Sequence, residues 1–253
     1  YSDAIADFNK ALELNAKNHL AYYSRGFFYS MLGEYNEAIA DFTKSLELNP
    51  KNHLAYYNRG RAFGFLGKDT EAISDFYAAL ALNPNLDSAY FSRGVSYHYL
   101  ERYSDAIADF NKAIELNPKN DAAYFSRGRS YGLLGQYSEA ILDFNKAIEL
   151  QPKDAGAYGN RGAAYIFLGK YPEAIVDLNK AIELNPQDAS AYYNRACSYS
   201  RLKNIKNAVE DLDKAISMKP ALRNDARTEK DFDPIRDSAD FKKLSPTKAV
   251  IIK

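Results

Sequence analysis

Bulky apolar residues recur at helical spacing in short stretches along the chain, and each stretch is ended by a residue that breaks a helix. One stretch runs over 19–32 and is ended by Gly33, and the next runs over 36–48 and is ended by Asn49-Pro50. The same arrangement returns every 34 residues without a change of phase. Each period is therefore predicted to be a helix-turn-helix hairpin, and the chain an array of such hairpins.

Small and aromatic columns define the predicted core of each hairpin. Gly26 and its equivalents cost about 1 kcal/mol in mid-helix relative to Ala, which is explained if the missing side chain lets the second helix approach closely. The column that begins at Ala38 supplies a small facing surface, and Tyr22, Tyr29 and Phe42 fill the volume around it. We interpret these rings as core rather than as a cofactor site, and we expect no cofactor.

These columns resemble those of the tetratricopeptide repeat family. The resemblance implies an all-α fold, a right-handed superhelical solenoid of helix-turn-helix hairpins. It covers nearly the whole chain: the large aromatic at the fourth position is Tyr in all six complete units, and the small eighth residue, the Ala at position 20, the aromatic at 24 and the Pro at 32 are nearly all matched. Departures are local, with Ala16 in place of the first Pro, Asp69 in place of the usual Tyr, and Glu101 in place of a turn Gly.

The repeat frame divides the chain into four predicted segments. Residues 1–18 hold the second helix of a truncated first repeat, 19–220 hold six complete repeats, and 245–253 form a tail. A repeat array needs a cap, because its last hairpin would otherwise expose an apolar face to water. We expect 221–244 to supply a capping helix and a segment whose apolar side chains pack back on the last repeat: Phe232, Ile235, Phe241 and Leu244.

Charge and composition disfavour several classes of partner. Lys plus Arg and Asp plus Glu are 33 each, so no net charge attracts the chain to nucleic acid or to an anionic membrane. No run of about 18 apolar residues is present to cross a bilayer. We therefore expect no nucleic acid partner and no membrane insertion. The single cysteine, Cys197, excludes a disulfide framework and fits a reducing compartment, which favours a cytoplasmic location.

Catalytic and metal sites find little support in the sequence. The chain has only three histidines, and general acid-base catalysis and metal binding draw heavily on that residue. His19 and His53 hold the same repeat position, so they reflect copying rather than a metal pair, and Cys197 has no histidine in its own repeat. The Gly67-Lys-Asp-Thr stretch lacks the earlier glycine and the strand of a phosphate loop. We predict no catalytic residue and no metal ligand.

Two charged columns lie beside the packing residues. One begins at Arg25 and the other includes Asp41. On a helical wheel the Arg column falls about 50° from the Tyr and Gly stripe, so we expect each guanidinium to reach a second-helix Asp of the same or the preceding repeat. The alternative, a basic stripe for phosphates, leaves the aspartates unexplained and suits a more basic protein.

The opposite face of each first helix carries the candidate binding site, because the resemblance implies that this face lines the concave groove. Repeated exposed aromatics are hard to justify for solubility, and rings with Asn and Arg groups suit an extended peptide. The alternative is that duplicated aromatics merely pack against neighbouring repeats. The predicted peptide-binding residues are Tyr23, Tyr57, Asn58, Arg61, Phe91, His98, Phe125, Arg129, Asn160, Tyr193 and Asn194.

Two better-known groove types help to define this one. Tetratricopeptide domains that clamp the acidic tails of heat-shock chaperones carry Lys at the fifth position and Asn at the ninth, whereas here the fifth is mostly aromatic and the ninth includes Arg61 and Arg129. We therefore expect no chaperone carboxylate clamp. The amides of Asn58, Asn160 and Asn194 resemble a partial version of the asparagine ladder in the repeat domain of O-linked N-acetylglucosamine transferase.

The sequence therefore predicts a non-catalytic interaction module that holds an extended segment of a protein partner, or a scaffold for several proteins. A rival hypothesis is the substrate-recognition arm of a larger enzyme. A third is end-to-end self-association through the uncapped N-terminal hairpin. The repeat specifies a shape rather than a cargo, so the partner's identity is not predicted.

Overall fold

The computed structural model describes residues 1–245, and every regular element in that part of the chain is a helix. Residues 246–253, which hold almost all of the predicted tail, lie outside the described residues. None of the described helices is long and apolar enough to cross a membrane. The first helices of the six hairpins are α2 (His19–Met31), α4 (His53–Phe65), α6 (Asp87–Tyr99), α8 (Asp121–Leu133), α10 (Ala155–Phe167) and α12 (Ala189–Arg201).

The remaining helices are second helices or belong to the C-terminal segment. The second helices are α1 (Ser2–Leu14), α3 (Tyr35–Leu48), α5 (Asp69–Leu82), α7 (Tyr103–Leu116), α9 (Tyr137–Leu150), α11 (Tyr171–Leu184) and α13 (Ile205–Met218). The C-terminal segment holds α14 (Leu222–Thr228), a 3₁₀ helix (Lys230–Ile235) and α15 (Ala239–Leu244).

The residues between helices explain where each helix begins and ends. Asn18 Oδ1 accepts hydrogen bonds from the backbone N–H groups of Leu20 and Ala21, which caps the start of α2. Asn49 Oδ1 accepts from Lys51 N, so the Asn-Pro pair forms a hydrogen-bonded turn rather than a further helical turn. Inside the hairpin, Gly33 takes a φ of +80°, a left-handed conformation that glycine adopts at little cost.

The close approach predicted at the mid-helix glycines is confirmed. A Cβ atom at Gly94 would lie 2.8 Å from the Phe110 ring, and one at Gly60 would lie 2.9 Å from the Phe76 ring. Phe76 and Phe110 are themselves buried at the centre of their hairpins. The glycine column thus lets a second-helix ring lie against the backbone of the first helix.

The chain divides into an N-terminal unit, residues 1–130, and a C-terminal unit, residues 131–253. In the N-terminal unit, α2 packs on α3, α4 on α5 and α6 on α7, and successive hairpins contact through α3 with α4 and α5 with α6. First helices also contact one another, α2 with α4 and α4 with α6. Each hairpin therefore buries one face within itself and a second face against its neighbour.

The C-terminal unit repeats this packing and adds the C-terminal segment. The α10–α11 and α12–α13 hairpins stack through α11 and α12, the 3₁₀ helix lies on α12, and α14 and α15 lie on α13. Phe232, Ile235 and Phe241 are buried beside Cys197 and Leu212. Leu244 packs against the same cluster. The 3₁₀ helix and α15 hold these four side chains, and α14 precedes them in the range where a capping helix was predicted. All of these features identify an all-α array of stacked helical hairpins.

Candidate functional site

The arginine column forms a structural ion-pair ladder. In each described pair, Nε and Nη2 of the arginine donate to the two carboxylate oxygens of the aspartate 16 residues later, in the same repeat, at 2.6–2.7 Å. The aspartates are buried, with Asp75 only 5% exposed. The hydrogen bonds to Asp75 raise the pKa of Arg59 above its ordinary value. The pairs are Arg25–Asp41, Arg59–Asp75, Arg93–Asp109, Arg161–Asp177 and Arg195–Asp211.

A third contact links each of these arginines to the preceding repeat, and in all but Arg93 it is a hydrogen bond from Nη1. Nη1 of Arg25 donates to Asn9 Oδ1 at 2.6 Å, and Nη1 of Arg161 donates to Asn145 Oδ1 at the same distance. Asn9 and Asn145 hold the same repeat position, and Tyr77 holds it in the second repeat. There the guanidinium carbon of Arg93 lies 4.1 Å from the centre of the Tyr77 ring. These guanidinium groups are occupied by the fold, and sequence analysis missed their second partner although the asparagine column was visible.

The aromatic residues of the first-helix face in the N-terminal unit pack partly on their own hairpins. Ring centres are 5.8 Å apart for Tyr23 and Phe42 and 5.9 Å apart for Phe91 and Phe110. Tyr57 lies 6.0 Å from Phe76 in the same way. The three predicted site residues remain half-buried rather than enclosed. These contacts lie within each hairpin, whereas the alternative hypothesis expected packing against neighbouring repeats, and they use only part of each ring.

Polar groups on this face have partners of their own. Asn58 Nδ2 donates to the Tyr23 hydroxyl at 3.0 Å, and burial raises the pKa of Tyr23. Nδ1 of His98 lies 2.9 Å from Ser130 Oγ, and burial together with the nearby charge of Arg129 lowers the pKa of His98. The guanidinium of Arg129 lies 6.0 Å from the Phe125 ring. These predicted site residues are therefore linked to neighbouring side chains by hydrogen bonds or cation–π contacts.

An open cleft lies between α4 and α6 in the N-terminal unit; we call it the first cleft. Its volume is about 640 Å³. The guanidinium of Arg61 is exposed beside it and lies 5.8 Å from the Phe65 ring. Of the predicted site residues, the cleft brings together Arg61 and Phe91. Its other principal walls are Gly64, Phe65, Asp69, Val95 and Tyr99.

A smaller cleft lies between α10 and α12 in the C-terminal unit; we call it the second cleft. Its volume is about 360 Å³, and it brings together the predicted residues Tyr193 and Asn194. Asn160 is not among its walls. Its Nδ2 donates to the Gly156 carbonyl of its own helix at 2.8 Å. The other principal walls are Ile166, Phe167, Tyr171, Cys197, Glu229 and Asp231.

The carboxylates of the second cleft come from outside the repeats. Burial and the neighbouring charge of Glu229 raise the pKa of Asp231, and Arg201 Nε lies 3.7 Å from its carboxylate. Tyr193 packs edge-on against Phe232 at 5.5 Å, and its buried hydroxyl has no hydrogen-bond partner within residues 1–245. Sequence analysis missed Glu229 and Asp231 because the repeat frame places no residue beyond Pro220.

Comparison with solved structures finds similar proteins that share this architecture. The chain is similar to YrrB, described as a TPR protein with an unusual peptide-binding site, with 28% identity over 73% of this chain and 95% of that one and a TM-score of 0.65. It is also similar to the MamA protein, with 26% identity over 69% and 95% of the two chains and a TM-score of 0.63.

A third similar structure is a tetratricopeptide repeat protein from Parabacteroides merdae ATCC 43184, with 26% identity over 87% and 88% of the two chains and a TM-score of 0.63. A search of curated proteins gives no significant match. Tetratricopeptide repeat models match residues 19–52, 88–120, 122–154 and 155–188, and related models match 42–74 and 189–222. These matches cover most of the chain, which therefore belongs to the tetratricopeptide repeat family.

Proposed function

We propose that this chain is a non-catalytic interaction module whose first-helix faces bind an extended segment of a protein partner. The observation that carries the proposal is the first cleft, an open space of about 640 Å³ with aromatic walls on the predicted binding face. Ligand sites are typically concave, mostly apolar and provided with a few polar groups, and the first cleft has this character. The similarity to YrrB, a protein with a peptide-binding site of its own, supports the same function.

The lining of the first cleft suits a peptide chemically. Phe65 and Phe91 offer ring surface to an apolar side chain, and the exposed guanidinium of Arg61 suits a carboxylate of the partner. Within the described residues, Asn58 uses only its amide nitrogen, which leaves its oxygen to accept from a peptide N–H. The remaining predicted residues of this face contact other parts of the same partner segment: Tyr23, Tyr57, His98, Phe125 and Arg129.

In the C-terminal unit, Asn160, Tyr193 and Asn194 remain proposed peptide contacts. The aromatic walls of the second cleft offer a further side-chain site. The proposal includes neither a cofactor nor a catalytic group, and it places the module in the cytoplasm, where a lone buried thiol such as Cys197 stays reduced.

Selection of short random peptides displayed on phage, followed by calorimetry with a synthetic selected peptide, tests the proposal. Gly64→Ile gives the first cleft the side chain that Ile166 supplies to the second one, and a Cβ at Gly64 meets nothing within 4 Å. The variant should therefore fold normally and lose about tenfold or more in affinity, which corresponds to about 1.4 kcal/mol.

Gly132→Ile is the matched control, since Gly132 holds the same repeat position and its Cβ would also be free of contacts. It should lose clearly less affinity than Gly64→Ile, because α8 belongs to the proposed binding face but does not line the first cleft. Failure to select any peptide, or equal affinities for the unaltered chain and Gly64→Ile, would show that the first cleft is not a peptide site.

A further inference from the structure

A tyrosine at the start of a second helix packs on the first helix of the following repeat. Tyr35 stacks on Phe65 with ring centres 4.9 Å apart and an angle of 13° between the rings. Tyr137 stacks on Phe167 at 4.5 Å and 1°. Each pair joins position 17 of one repeat to position 13 of the next, so these two positions form a recurring aromatic stack.

The tyrosine packs in the same way where position 13 of the following repeat is an arginine instead of an aromatic residue. The guanidinium carbon of Arg201 lies 5.5 Å from the centre of the Tyr171 ring, and its Nε donates to the Tyr171 hydroxyl at 2.9 Å. Tyr35, Tyr137 and Tyr171 therefore each pack on a flat group at position 13 of the next repeat, whether that group is a ring or a guanidinium. Tyr103, whose next repeat offers Leu133 at that position, lies against His98 of its own repeat.

The second repeat has Asp69 at position 17 in place of a tyrosine. The side chain that should receive the tyrosine is present, because Tyr99 holds position 13 of the third repeat and is 68% exposed. Its one ring contact in the described chain is an edge contact with His98, its neighbour in sequence. Asp69 and Tyr99 are both walls of the first cleft. The cleft is thus open at the place that corresponds to the one filled by Tyr35, Tyr137 and Tyr171 in their own repeats.

We propose that the first cleft binds a tyrosine or tryptophan side chain of the partner segment, which stacks on Tyr99 in the place of the missing tyrosine. This inference rests on the proposed function and names the side chain that the cleft recognises. The ring meets Tyr99 and Phe65, and its polar edge donates to the Asp69 carboxylate. In residues 1–245 that carboxylate has no hydrogen bond or ion pair, so its acceptor capacity is unused.

Capped pentapeptides test the inference directly. The chain contains no tryptophan, so the fluorescence of acetyl-Gly-Gly-Trp-Gly-Gly-amide reports the probe alone when it is excited selectively. We expect this probe to bind about tenfold more tightly than the same peptide with Leu in place of Trp, measured by competition. Equal affinities of the two peptides, or no binding of the Trp peptide, would overturn the inference.

Asp69→Tyr supplies the missing ring from the chain itself. We expect it to weaken binding of the Trp peptide about tenfold, whereas Asp69→Ala, which removes the carboxylate but leaves the space open, should weaken it only about threefold. Asp69→Tyr should also melt about 2 °C higher than Asp69→Ala, because the new ring gains a stack on Tyr99. Binding by Asp69→Tyr equal to that of Asp69→Ala, or a lower melting temperature, would contradict the inference.

The phage selection separates this inference from the proposed function. If selected peptides bind and Gly64→Ile blocks them, but they lack aromatic residues and ignore Asp69→Tyr, the first cleft is a peptide site of another specificity. If neither selected peptides nor the Trp probe bind, both proposals fall.

Discussion

The two clefts are formed at equivalent positions of the repeat, yet they differ in size and in chemistry. Three repeats of 34 residues separate Gly64 from Ile166 and Asp69 from Tyr171. The second cleft, which contains the larger side chains of Ile166 and Tyr171, has a volume of about 360 Å³, whereas the first cleft has a volume of about 640 Å³. Both substitutions place more side-chain volume at the second cleft than at the first.

The walls differ in origin as well. Arg61 beside the first cleft is replaced by Ala163 in the second, and the second cleft gains Glu229 and Asp231 from the C-terminal segment. The first cleft is therefore built wholly from repeats and carries a cation at its rim. The second depends on a segment outside the repeats and carries carboxylates. The two clefts thus share one frame, while single residues and the C-terminal segment make their linings differ.

The largest expected effect comes from removing the anchor of that added segment. Phe232 is fully buried against Tyr193 and Phe241. Phe232→Ala should lower the free energy of unfolding by about 3–5 kcal/mol, because it leaves a large cavity between the 3₁₀ helix and α12. Urea denaturation followed by circular dichroism measures the change.

Leu142→Ala is the control for Phe232→Ala, since Leu142 is 67% exposed in the same unit and its truncation should cost less than about 0.5 kcal/mol. If the denaturation midpoint of Phe232→Ala matched that of the unaltered chain, the C-terminal segment would not be a wall of the second cleft.

The next effect tests whether the frame of the two clefts is the same. Arg59 and Arg161 hold equivalent positions behind the first and second clefts, and each donates two hydrogen bonds to a buried aspartate. Replacing either with Ala leaves that carboxylate buried without its partner, so each variant should lose about 3 kcal/mol of stability. Chemical denaturation of the two variants side by side gives the comparison.

Arg61→Ala is the matched control on the same helix as Arg59. Its guanidinium is exposed and lies over the Tyr57 and Phe65 rings, so its loss should cost less than about 1 kcal/mol while weakening a bound acidic peptide. A cost for Arg61→Ala as large as that for Arg59→Ala would contradict the division between framework and groove arginines.

The frame was predictable from the sequence because its rules are local and periodic. Each residue equivalent to Gly94 must leave room for a ring or a leucine side chain at the position of Phe110, and each residue equivalent to Arg59 needs a carboxylate within hydrogen-bond distance. Both contacts recur with the 34-residue period, so the period predicts them. The sequence does not predict whether each arginine pairs with the aspartate of its own repeat or of the preceding one, because a guanidinium can reach the second helix of either. The hydrogen bonds settle it in favour of the same repeat.

The lining was much less predictable. Asp69 is in the sequence only a local departure from the family pattern, and the stacks at Tyr35 and Tyr137 are needed to show what its side chain leaves open. Glu229 and Asp231 follow no period, so their place beside Tyr193 depends on how the C-terminal segment packs. Specificity in this molecule therefore lies where the repeat pattern is interrupted.

The smallest expected effect distinguishes the two units by their response to pH. His98 in the N-terminal unit is equivalent to Ser200 in the C-terminal unit, whose hydroxyl donates to the Asp231 carbonyl at 2.6 Å. Burial and Arg129 lower the pKa of His98 below its ordinary value of 6.5. The unfolded chain therefore binds a proton more readily than the folded chain, and stability should fall as the pH drops through that value.

Replacing His98 with the residue of its equivalent position, as His98→Ser, should reduce this loss of stability between about pH 7 and pH 5. Thermal melts across that range measure it, with His53→Ser as the control that keeps the full loss because His98 is still present. His98 faces Tyr103, Arg129 and the Ser130 hydroxyl, and protonation would place a second positive charge beside Arg129. A pH dependence that is unchanged in His98→Ser would show that this difference between the equivalent positions has no effect on stability.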